Sequence, residues 1–487
     1  MQVVKSDTRR AGAAPESDNL YRRVARRITE QINKGIYRPG ERIPSVRRLS
    51  EQLKVSIATV LEAYRVLEDD GLLEARPQSG YYVRARTYKA PAEPEVSSPP
   101  IAPTTVSVTE VGLRVLKTAR RSDIVQLCMT TPHPEFLPIR RLNRIAAATA
   151  RRDDGAAYRY DFPPGLAELR QQIARRMLEA GCEVAPDDIV VTSGCQEAVT
   201  LCLRAVARPG DVIAVESPTY YGTLQAIESL GMKALEIPTH PRDGLSLDAL
   251  ELALDRHRVR ACLLVPSFSN PLGACMPDEN RKHLVRLLCE HEIPLIEDDV
   301  YGDLPFSAPR PRAAKAFDRK GLVLYCSSFS KTLAPGARVG WTVPGRWLTQ
   351  IEHLKYVSTM ATSTFQAMVL AEFLAHGGYD RYLRHVRPLY AQNAERTTQA
   401  IARFFPEGTR VTKPNGGFVL WIELPSTVDA FELNRRALER GVAIAPGPLF
   451  SAKQKYRHFI RLTYTLPWSD QVEQAIFTVG RLVHEMA

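Results

Sequence analysis

Hydrophobic positions beyond residue 123 fall into short apolar runs separated by longer amphipathic segments. The runs lie at 189–192, 211–215, 261–265, 294–296 and 322–326. Runs of this length and composition are typical of strands buried on both faces, and the segments between them have the spacing of amphipathic helices. This alternation predicts a mostly parallel α/β sheet whose ligands bind at the carboxyl ends of the strands.

The N-terminal part of the chain has a different pattern, in which helical stretches precede two β-prone runs. Ser45 and Ser56 each precede a helical stretch and are good N-cap residues. Three helices with a short second connection, followed by a hairpin, form a winged helix-turn-helix. The predicted elements are a helix over 21–34 that ends at Gly35, a helix after Ser45, a helix from Ser56 to about Gly71, and strands at 72–76 and 81–83 around a turn at 77–80.

Residues 85–122 separate these two parts and follow neither pattern. Positions 90–103 are rich in proline and serine and have no apolar periodicity. This composition predicts an extended, poorly packed and semi-rigid spacer. The alternative, a surface loop inside one domain, is disfavoured by the length of the segment. A short helix is expected at 106–120.

Composition restricts the class of protein. The 487 residues suffice for two or three domains, and 44% hydrophobic with 24% charged residues is typical of soluble globular proteins. No apolar run is long enough to span a membrane, and residues 1–7 lack a signal-peptide core, so we expect a cytoplasmic protein. The eight cysteines include no C-x-x-C pair, so neither a metal site nor a disulfide framework is indicated.

The net charge of +11 is unevenly distributed along the chain. Residues 1–90 contain 18 Lys and Arg residues against 11 Asp and Glu residues. A basic surplus concentrated in one domain indicates a polyanion-binding surface. By itself it is equally consistent with a solvated basic face.

Lys331 lies in a serine-rich stretch that follows the last predicted strand, and Arg338 comes seven residues later. A lysine held in an enclosed site can lose its proton and attack an aldehyde as a neutral amine. Serine hydroxyls and an arginine suit a phosphate group. A reactive lysine beside a phosphate site indicates pyridoxal 5′-phosphate. For an isolated motif of this kind, the alternative is a solvated lysine on a polar turn.

Polar residues also follow the other predicted strands, and each group alone is a weak signal. Gly194 to Gln196 open a helix, whose backbone amides can bind phosphate. Tyr220 offers an aromatic ring, Asn270 lies in an N-P-L-G turn, and Asp298 begins a D-D-V-Y segment. Five strand ends that carry complementary groups in one order indicate a common binding site.

The N-terminal part resembles the GntR-type DNA-binding domain over about residues 18–84. The resemblance is carried by the segments Arg42-Ile43-Pro44-Ser45-x-Arg47-x-Leu49, Val55-Ser56-x-x-Thr59-Val60 and Leu67-x-x-x-Gly71-Leu72. It implies that the third helix enters the major groove of DNA.

The same resemblance implies particular DNA contacts. Ser56 and Thr59 would meet bases or phosphates. The phosphate backbone would be held by Ser45, Arg47 and Arg48, with the wing tip, Ser79 and Gly80, at the minor groove. Arginine is frequent in the family where this chain has Ile57 and Leu61. The base contacts usual at those two positions are therefore not carried over.

Residues 123–487 resemble the fold-type I, class I aminotransferases, with a small subdomain at about 375–487. The resemblance implies that Lys331 forms an aldimine with pyridoxal phosphate. The D-x-x-Y spacing selects Asp298, rather than Asp299, as the partner of the pyridine nitrogen. The remaining implied roles are the ring hydroxyl for Tyr301 and Asn270, ring stacking for Tyr220, the substrate carboxylate for Arg461, the phosphate for Gly194, Cys195, Gln196, Ser328, Ser330 and Arg338, and the partner subunit's phosphate for Tyr160.

Cys195 is a departure from that family, in which serine or threonine is usual at this position. A backbone amide contact to the phosphate would be unaffected by the thiol, whereas a hydroxyl contact would be weakened.

A GntR-type domain joined by a long linker to an aminotransferase-like domain resembles the MocR/GabR family of bacterial transcriptional regulators. This resemblance implies a head-to-tail homodimer that binds pyridoxal phosphate and operator DNA. The resulting hypothesis is a regulator that senses an amino compound or pyridoxal phosphate itself at Lys331. Two alternatives remain, namely a working aminotransferase tethered to DNA by its basic domain, and a DNA-binding protein with an empty degenerate site.

Overall fold

The structure, a computed structural model, describes residues 20–33, 36–37, 40–69, 72–76, 79–83, 90–109, 112, 121, 123–152, 155–307 and 309–487. The described helices are, in chain order, α1 (Leu20–Asn33), α2 (Val46–Leu53), α3 (Ile57–Asp69), α4 (Ile139–Ala150), α5 (Ala167–Glu179), α6 (Cys195–Val206), α7 (Tyr221–Ser229), α8 (Leu247–Arg256), α9 (Asp278–Glu290), α10 (Leu348–Thr359), α11 (Thr364–Ala375), α12 (Gly378–Phe404), α13 (Ala430–Glu439) and α14 (Asp470–Met486).

The described strands are β1 (Leu73–Arg76), β2 (Gly80–Val83), β3 (Thr104–Thr105), β4 (Val125–Gln126), β5 (Val190–Thr192), β6 (Val212–Ser217), β7 (Lys233–His240), β8 (Gly244–Leu245), β9 (Val259–Leu264), β10 (Leu295–Asp298), β11 (Val323–Ser328), β12 (Gly340–Val343), β13 (Arg410–Val411), β14 (Val419–Glu423), β15 (Val442–Ala443), β16 (Ala445–Pro446) and β17 (Phe459–Thr463). The chain divides into two compact units between Lys89 and Ala90.

The first unit contains the predicted three helices and hairpin, which confirms the winged helix-turn-helix pattern. Both predicted caps are present, because Ser45 Oγ accepts from Arg48 N at 3.3 Å and Ser56 Oγ accepts from Thr59 N at 3.1 Å. The strands β1 and β2 pair in antiparallel register. The predicted helix ends at Gly35 and Gly71 and the turn residues 77–78 lie outside the described residues.

Tyr64 holds this first unit together. Its ring is completely buried among the apolar residues of α1 and α3 and meets the Tyr81 ring edge-on at 4.8 Å. Its hydroxyl donates to the carbonyl of Pro44 at 2.6 Å, which fixes the segment just before α2. Burial raises the pKa of this phenol far above its usual range, so the hydroxyl remains a donor at any physiological pH.

The second unit is built on a large sheet in which β7, β6, β9, β10 and β11 are adjacent and parallel. This confirms the predicted parallel α/β architecture. Beyond β11, the strands β12 and β5 continue the sheet, each antiparallel to its neighbour, and β3 lies antiparallel on the opposite edge.

Both faces of this sheet are buried, as the continuous apolar runs predict. Successive side chains alternate between two separate hydrophobic cores, so Leu263 lies in one core and Leu264 in the other. Ile296 and Leu295 divide in the same way. Because neither face meets water, the candidate site forms at the strand ends.

The C-terminal part contains a smaller antiparallel sheet in the order β13-β14-β17-β16. The helices α12, α13 and α14 pack with this sheet into the larger of the two cores. The short strand β15 pairs in parallel with β4 from the beginning of the large domain. The small subdomain is thereby tied to the first residues that follow the linker.

The linker differs from its prediction. Residues 90–109 are not a poorly packed spacer but dock on the second unit. The strand β3 joins the large sheet, and Val106 and Val108 are buried in its core. Sequence composition misjudged this segment because its contacts are supplied by residues more than a hundred positions away. Of the helix expected at 106–120, residues 110–111 and 113–120 lie outside the described part of the chain.

Among the residues described, no helix combines the length and the apolar composition needed to cross a membrane.

We expect Tyr64→Ala to unfold the first unit while the second unit stays folded. Loss of a completely buried aromatic side chain costs about 3–5 kcal/mol, which is a large part of the stability of so small a unit. In the full-length protein, limited proteolysis should digest the first unit while the second unit stays intact. Arg65→Ala, an exposed substitution on the same helix, is the control and should leave both units resistant. Digestion of both units in Tyr64→Ala would contradict the independence of the two units.

Candidate functional site

The polar ends of the parallel strands meet in one cavity of about 170 Å³. This juxtaposition follows from topology, because the carboxyl ends of adjacent parallel strands lie at the same edge of a sheet. The residues that line the cavity are Cys195, Gln196, Tyr220, Val265, Asn270, Asp298, Val300, Tyr301, Ser328, Ser330, Lys331 and Arg338.

Lys331 Nζ donates to the carbonyl oxygen of Thr130 at 2.9 Å. Burial lowers the pKa of this amine to about 8, and the nearby Asp298 carboxylate opposes the shift. A lysine with this pKa has a substantial neutral fraction near neutral pH, as an amine nucleophile requires. Thr130 was not predicted, since a backbone carbonyl leaves no signal in the residue pattern.

Asp298 comes at the end of β10, directly beside the strand that leads to Lys331. Its Oδ1 accepts from Val300 N at 3.3 Å and from the Cys195 thiol at 3.4 Å. Burial raises the pKa of this carboxyl to about 6, which the two donors partly offset. The thiol of Cys195 is therefore oriented by Asp298.

Asp299, the adjacent residue, has its side chain in a separate buried network. Its Oδ2 accepts from Arg310 Nη2 at 2.5 Å and from the Tyr325 hydroxyl at 2.8 Å. Arg310 also donates to Asp303, which in turn accepts from the Tyr379 hydroxyl of α12. Only Asp298 of the two carboxylates lines the cavity. The residue pattern does not indicate the partners of Asp299.

A tight group of residues forms one end of the cavity. Arg338 Nη1 donates to Ser330 Oγ at 3.2 Å, and its Nη2 donates to the Ser193 carbonyl at 3.0 Å. Gly194 has φ of +90°, and a Cβ atom there would collide with the Arg338 guanidinium. A Cβ atom on Gly340 would lie 2.8 Å from the backbone nitrogen of Cys195. The absence of side chains at both glycines leaves the α6 amides and Arg338 facing the same space, which suits a phosphate.

Arg461 lies behind the cavity rather than in its lining. Its Nη1 donates to Asn270 Oδ1 at 3.1 Å, and its Nη2 donates to the Cys128 carbonyl. The guanidinium also lies 5.2 Å from the centre of the Phe450 ring. Its Nε is buried without a hydrogen-bond partner among the described residues. The Nε of Arg461 is thus the nitrogen without a partner, and the side chain is linked to the cavity through Asn270.

Tyr301 and Tyr220 provide the aromatic walls of the cavity. Burial raises the pKa of Tyr301 to about 12 and also raises the pKa of Tyr220 well above its usual value, so both phenols remain protonated donors. Gly222 leaves room for the Tyr220 ring, because a Cβ atom there would overlap it.

Tyr160 lies elsewhere on the surface. Its side chain is 71% exposed, and its ring stacks on Phe162 at 5.7 Å. Its expected role at the partner subunit's phosphate stays a prediction.

The predicted DNA-contacting residues are all on the first unit. The side chains of Arg47 and Arg48 are exposed at the start of α2. Ser56 Oγ and Thr59 Oγ1 lie 2.8 Å apart at the start of α3, beside the exposed Ile57. At the wing, Ser79 Oγ and the Tyr82 hydroxyl are 2.5 Å apart, and Gly80 has φ of +104°. Their DNA contacts also stay predictions.

Comparison with known proteins agrees with this architecture. The family described as "Aminotransferase class I and II" matches residues 133–477, and "Bacterial regulatory proteins, gntR family" matches residues 20–83. The HTH-type transcriptional regulator YjiR of Escherichia coli (strain K12) is 40% identical over 464 residues, covering 95% of this chain and 98% of YjiR. This chain belongs to the MocR-type transcriptional regulators.

Aminotransferases are among the solved structures similar to this MocR-type regulator. Kynurenine aminotransferase of Pyrococcus horikoshii, in complex with PMP, has a TM-score of 0.72 and 30% identity, covering 78% of this chain and 95% of the enzyme. The α-aminoadipate aminotransferase LysN of Thermus thermophilus, complexed with N-(5′-phosphopyridoxyl)-L-leucine, has a TM-score of 0.71 and 30% identity, covering 78% of this chain and 99% of LysN.

The residues of the regulator's cavity fit pyridoxal phosphate. The glycine-lined end beside Arg338 accommodates a phosphate, Asp298 can accept from a pyridinium nitrogen, and Lys331 offers the amine. Together with the class I and II aminotransferase fold, this donor set supports pyridoxal phosphate as the cofactor.

We expect Gly194→Ala to weaken pyridoxal phosphate binding by about tenfold or more, because a side chain there is both strained and in collision with Arg338. Titration followed by visible absorbance measures the effect. Gly336→Ala in the neighbouring loop is the matched control, since its Cβ atom would meet nothing within 4 Å. Equal affinities of the two variants would rule out a phosphate beside Gly194.

The rate at which cofactor-free protein captures pyridoxal phosphate should depend on the pKa of Lys331. The neutral amine is the reactive form, so the rate should rise about tenfold per pH unit below the pKa. It should level off above about 8, where burial has placed the pKa of Lys331. Stopped-flow absorbance across a pH series measures this. A plateau reached only at the usual lysine pKa of 10.5 would contradict the burial of the amine.

Proposed function

We propose that this transcriptional regulator senses an amino compound, or pyridoxal phosphate itself, through an aldimine at Lys331 and changes its binding to operator DNA in response. The observation that carries the proposal is the buried Lys331 amine in a cavity that also contains Asp298 and a glycine-lined end beside Arg338. When bound, pyridoxal phosphate supplies an aldehyde for amines and an electron-withdrawing ring.

The residues of the chain would have distinct roles toward this group. Asp298, held at Oδ1 by Cys195 and Val300, has Oδ2 with which to accept from the ring nitrogen. Tyr220 would stack on the ring, and Tyr301 would donate to the ring hydroxyl. Arg461 could use its unpartnered Nε on a carboxylate of the amino compound, since Asn270 and Cys128 already hold its other nitrogens.

DNA recognition is assigned to the first unit. Exposed Arg47 and Arg48 suit phosphates, and the paired hydroxyls of Ser56 and Thr59 lie at the helix end expected to face the major groove. The relatives of the GntR family support DNA binding. We place this activity in the cytoplasm, where operator DNA is found.

A homodimer is part of the proposal. Tyr160 and Phe162 expose a stacked pair of aromatic rings, and Tyr356 lies 6.0 Å from Phe162. Exposed aromatic groups of this kind are enriched at protein interfaces. A head-to-tail arrangement would bring Tyr160 to the partner's phosphate.

The second candidate function is catalytic transamination by a protein that also binds DNA. The observation that favours it is the completeness of the cavity, in which Lys331, Asp298 and Arg338 are all present. Turnover of amino and keto acids, with DNA binding indifferent to the ligand, would identify an enzyme.

The test titrates standard L-amino acids and simple amines into full-length protein loaded with pyridoxal phosphate, with parallel operator-shift assays on DNA upstream of its own coding sequence. We expect one compound to change both the visible absorbance and the DNA complex. The amount of keto acid released should not exceed the amount of protein, which excludes catalytic turnover. Lys331→Ala should abolish both responses, since it removes the amine, while leaving basal DNA binding intact. A ligand response that survives in Lys331→Ala would refute sensing through this residue.

A further inference from the structure

The docked segment, residues 90–109, crosses from the small subdomain to the large one. Near its beginning, the Ala92 carbonyl accepts from Val411 N at 2.8 Å, and Glu93 Oε1 accepts from Lys413 N at 3.2 Å. The second carboxylate oxygen of Glu93 accepts from Arg242 of the large domain. One glutamate therefore bonds both subdomains.

Further along, the segment bonds to the large sheet and to α7, and the Ser107 carbonyl accepts from Gln454 Nε2 of the small subdomain at 3.5 Å. Thr104 and Thr105 pair with β7. Glu228 Oε2 accepts from the backbone nitrogens of Val108 and Thr109 at 3.0 and 3.1 Å, and from the Thr109 hydroxyl at 2.9 Å. These bonds fix the C-terminal part of the docked segment on the large domain.

Between these two anchors, Ser97 meets the loop that carries Tyr220. The Ser97 hydroxyl donates to the Ser217 carbonyl at 2.5 Å and accepts from Thr239 N at 2.9 Å. Ser217 is the last residue of β6, and Tyr220 in the cavity wall follows three residues later. The Ser97 hydroxyl oxygen therefore bonds to the ends of both β6 and β7, beside the loop that carries Tyr220.

The same junction reaches the small subdomain. Ser217 Oγ lies 2.8 Å from the Tyr456 hydroxyl, and Thr219 N donates to the Phe450 carbonyl at 2.9 Å. The Phe450 ring lies against the Arg461 guanidinium. The loop next to Ser97 is therefore in contact with residues around both the ring and the carboxylate ends of the expected ligand.

We propose that Ser97 is a positioning residue for the cofactor cavity, and that the docked segment transmits the state of that cavity to the preceding chain, which leads to the DNA-binding unit. The second half rests on the proposed function, whereas the first does not. Coupling of this kind is reciprocal, so a linker that stabilises the Tyr220 loop is itself stabilised when pyridoxal phosphate fills the cavity.

The test compares Ser97→Val and Ser97→Thr in the full-length protein. These two side chains have nearly the same shape, but only threonine retains the hydroxyl. Ser97→Ala is a second hydroxyl-free variant in case valine impairs folding, and Ser98→Ala, at an exposed neighbouring position, is the matched control.

The first measurement is the affinity for pyridoxal phosphate. Loss of one well-formed hydrogen bond should weaken binding about three- to tenfold in the valine and alanine variants. Ser97→Thr, which retains the hydroxyl, and the control Ser98→Ala should bind pyridoxal phosphate as the wild type does. If the substitutions acted only by loosening the docked segment, the hydroxyl of Ser97→Thr would not restore the affinity. Wild-type affinity without the hydroxyl would overturn the positioning role.

Hydrogen exchange provides a readout that does not require activity. In the wild type, pyridoxal phosphate should slow exchange at the amides of Thr239 and Val411, both of which donate to the docked segment. Exchange rates unaffected by the cofactor would overturn the reciprocal coupling.

Operator affinity tests transmission, with pyridoxal phosphate alone and together with the standard L-amino acids as probes. In Ser97→Val, the ratio of the operator affinity with these probes to that without them should be closer to one than in the wild type. If the valine variant binds the cofactor weakly but, at saturation, keeps the wild-type ratio, transmission through Ser97 is wrong. If the wild type itself has a ratio of one, the proposed sensing function fails, while the affinity and exchange results still decide the positioning role.

Discussion

The central constraint on this protein is the burial of a carboxyl and an amine at the carboxyl ends of two adjacent parallel strands. Asp298 ends β10, and Lys331 follows β11. Burial alone raises the pKa of the carboxyl and lowers that of the amine, and each group opposes the shift of the other. The balance leaves the amine available as a nucleophile and the carboxylate available as an acceptor. On a solvated loop, the amine would keep the usual lysine pKa of 10.5 and would be almost fully protonated near neutral pH.

The rest of the second unit is arranged to maintain that enclosure. The buried sheet provides rigid strand ends, and the antiparallel addition of β12 and β5 brings Gly340 and Gly194 together beside Arg338. The small subdomain places Arg461 behind Asn270. Because these parts come from distant stretches of the chain, the cavity depends on the global fold and not on any local motif.

The sequence predicted the elements of both units, because continuous apolar runs and helical spacing report directly which faces are buried. Together with the resemblance to the aminotransferases, it also selected the polar residues that line the cavity, most of which follow the ends of parallel strands. It could not predict the contacts of the docked segment, because Ser97 and its partner Ser217 are 120 residues apart and both side chains are typical of loops. Nor could it find the Thr130 carbonyl, which any residue could provide. The role predicted for Tyr160 involves a second subunit, so it stays a prediction.

The separation of Asp298 from Asp299 has a consequence for how this site can change over time. Successive side chains leave a strand on opposite sides, so Asp298 faces the cavity while Asp299 lies with Arg310 in the interior. Deletion of a single residue in β10 would move Asp299 into the place of Asp298 and Val300 into the place of Asp299, presenting the wrong carboxylate to the cavity and leaving Arg310 without its partner. The length of β10 is therefore constrained by the alternation of its side chains.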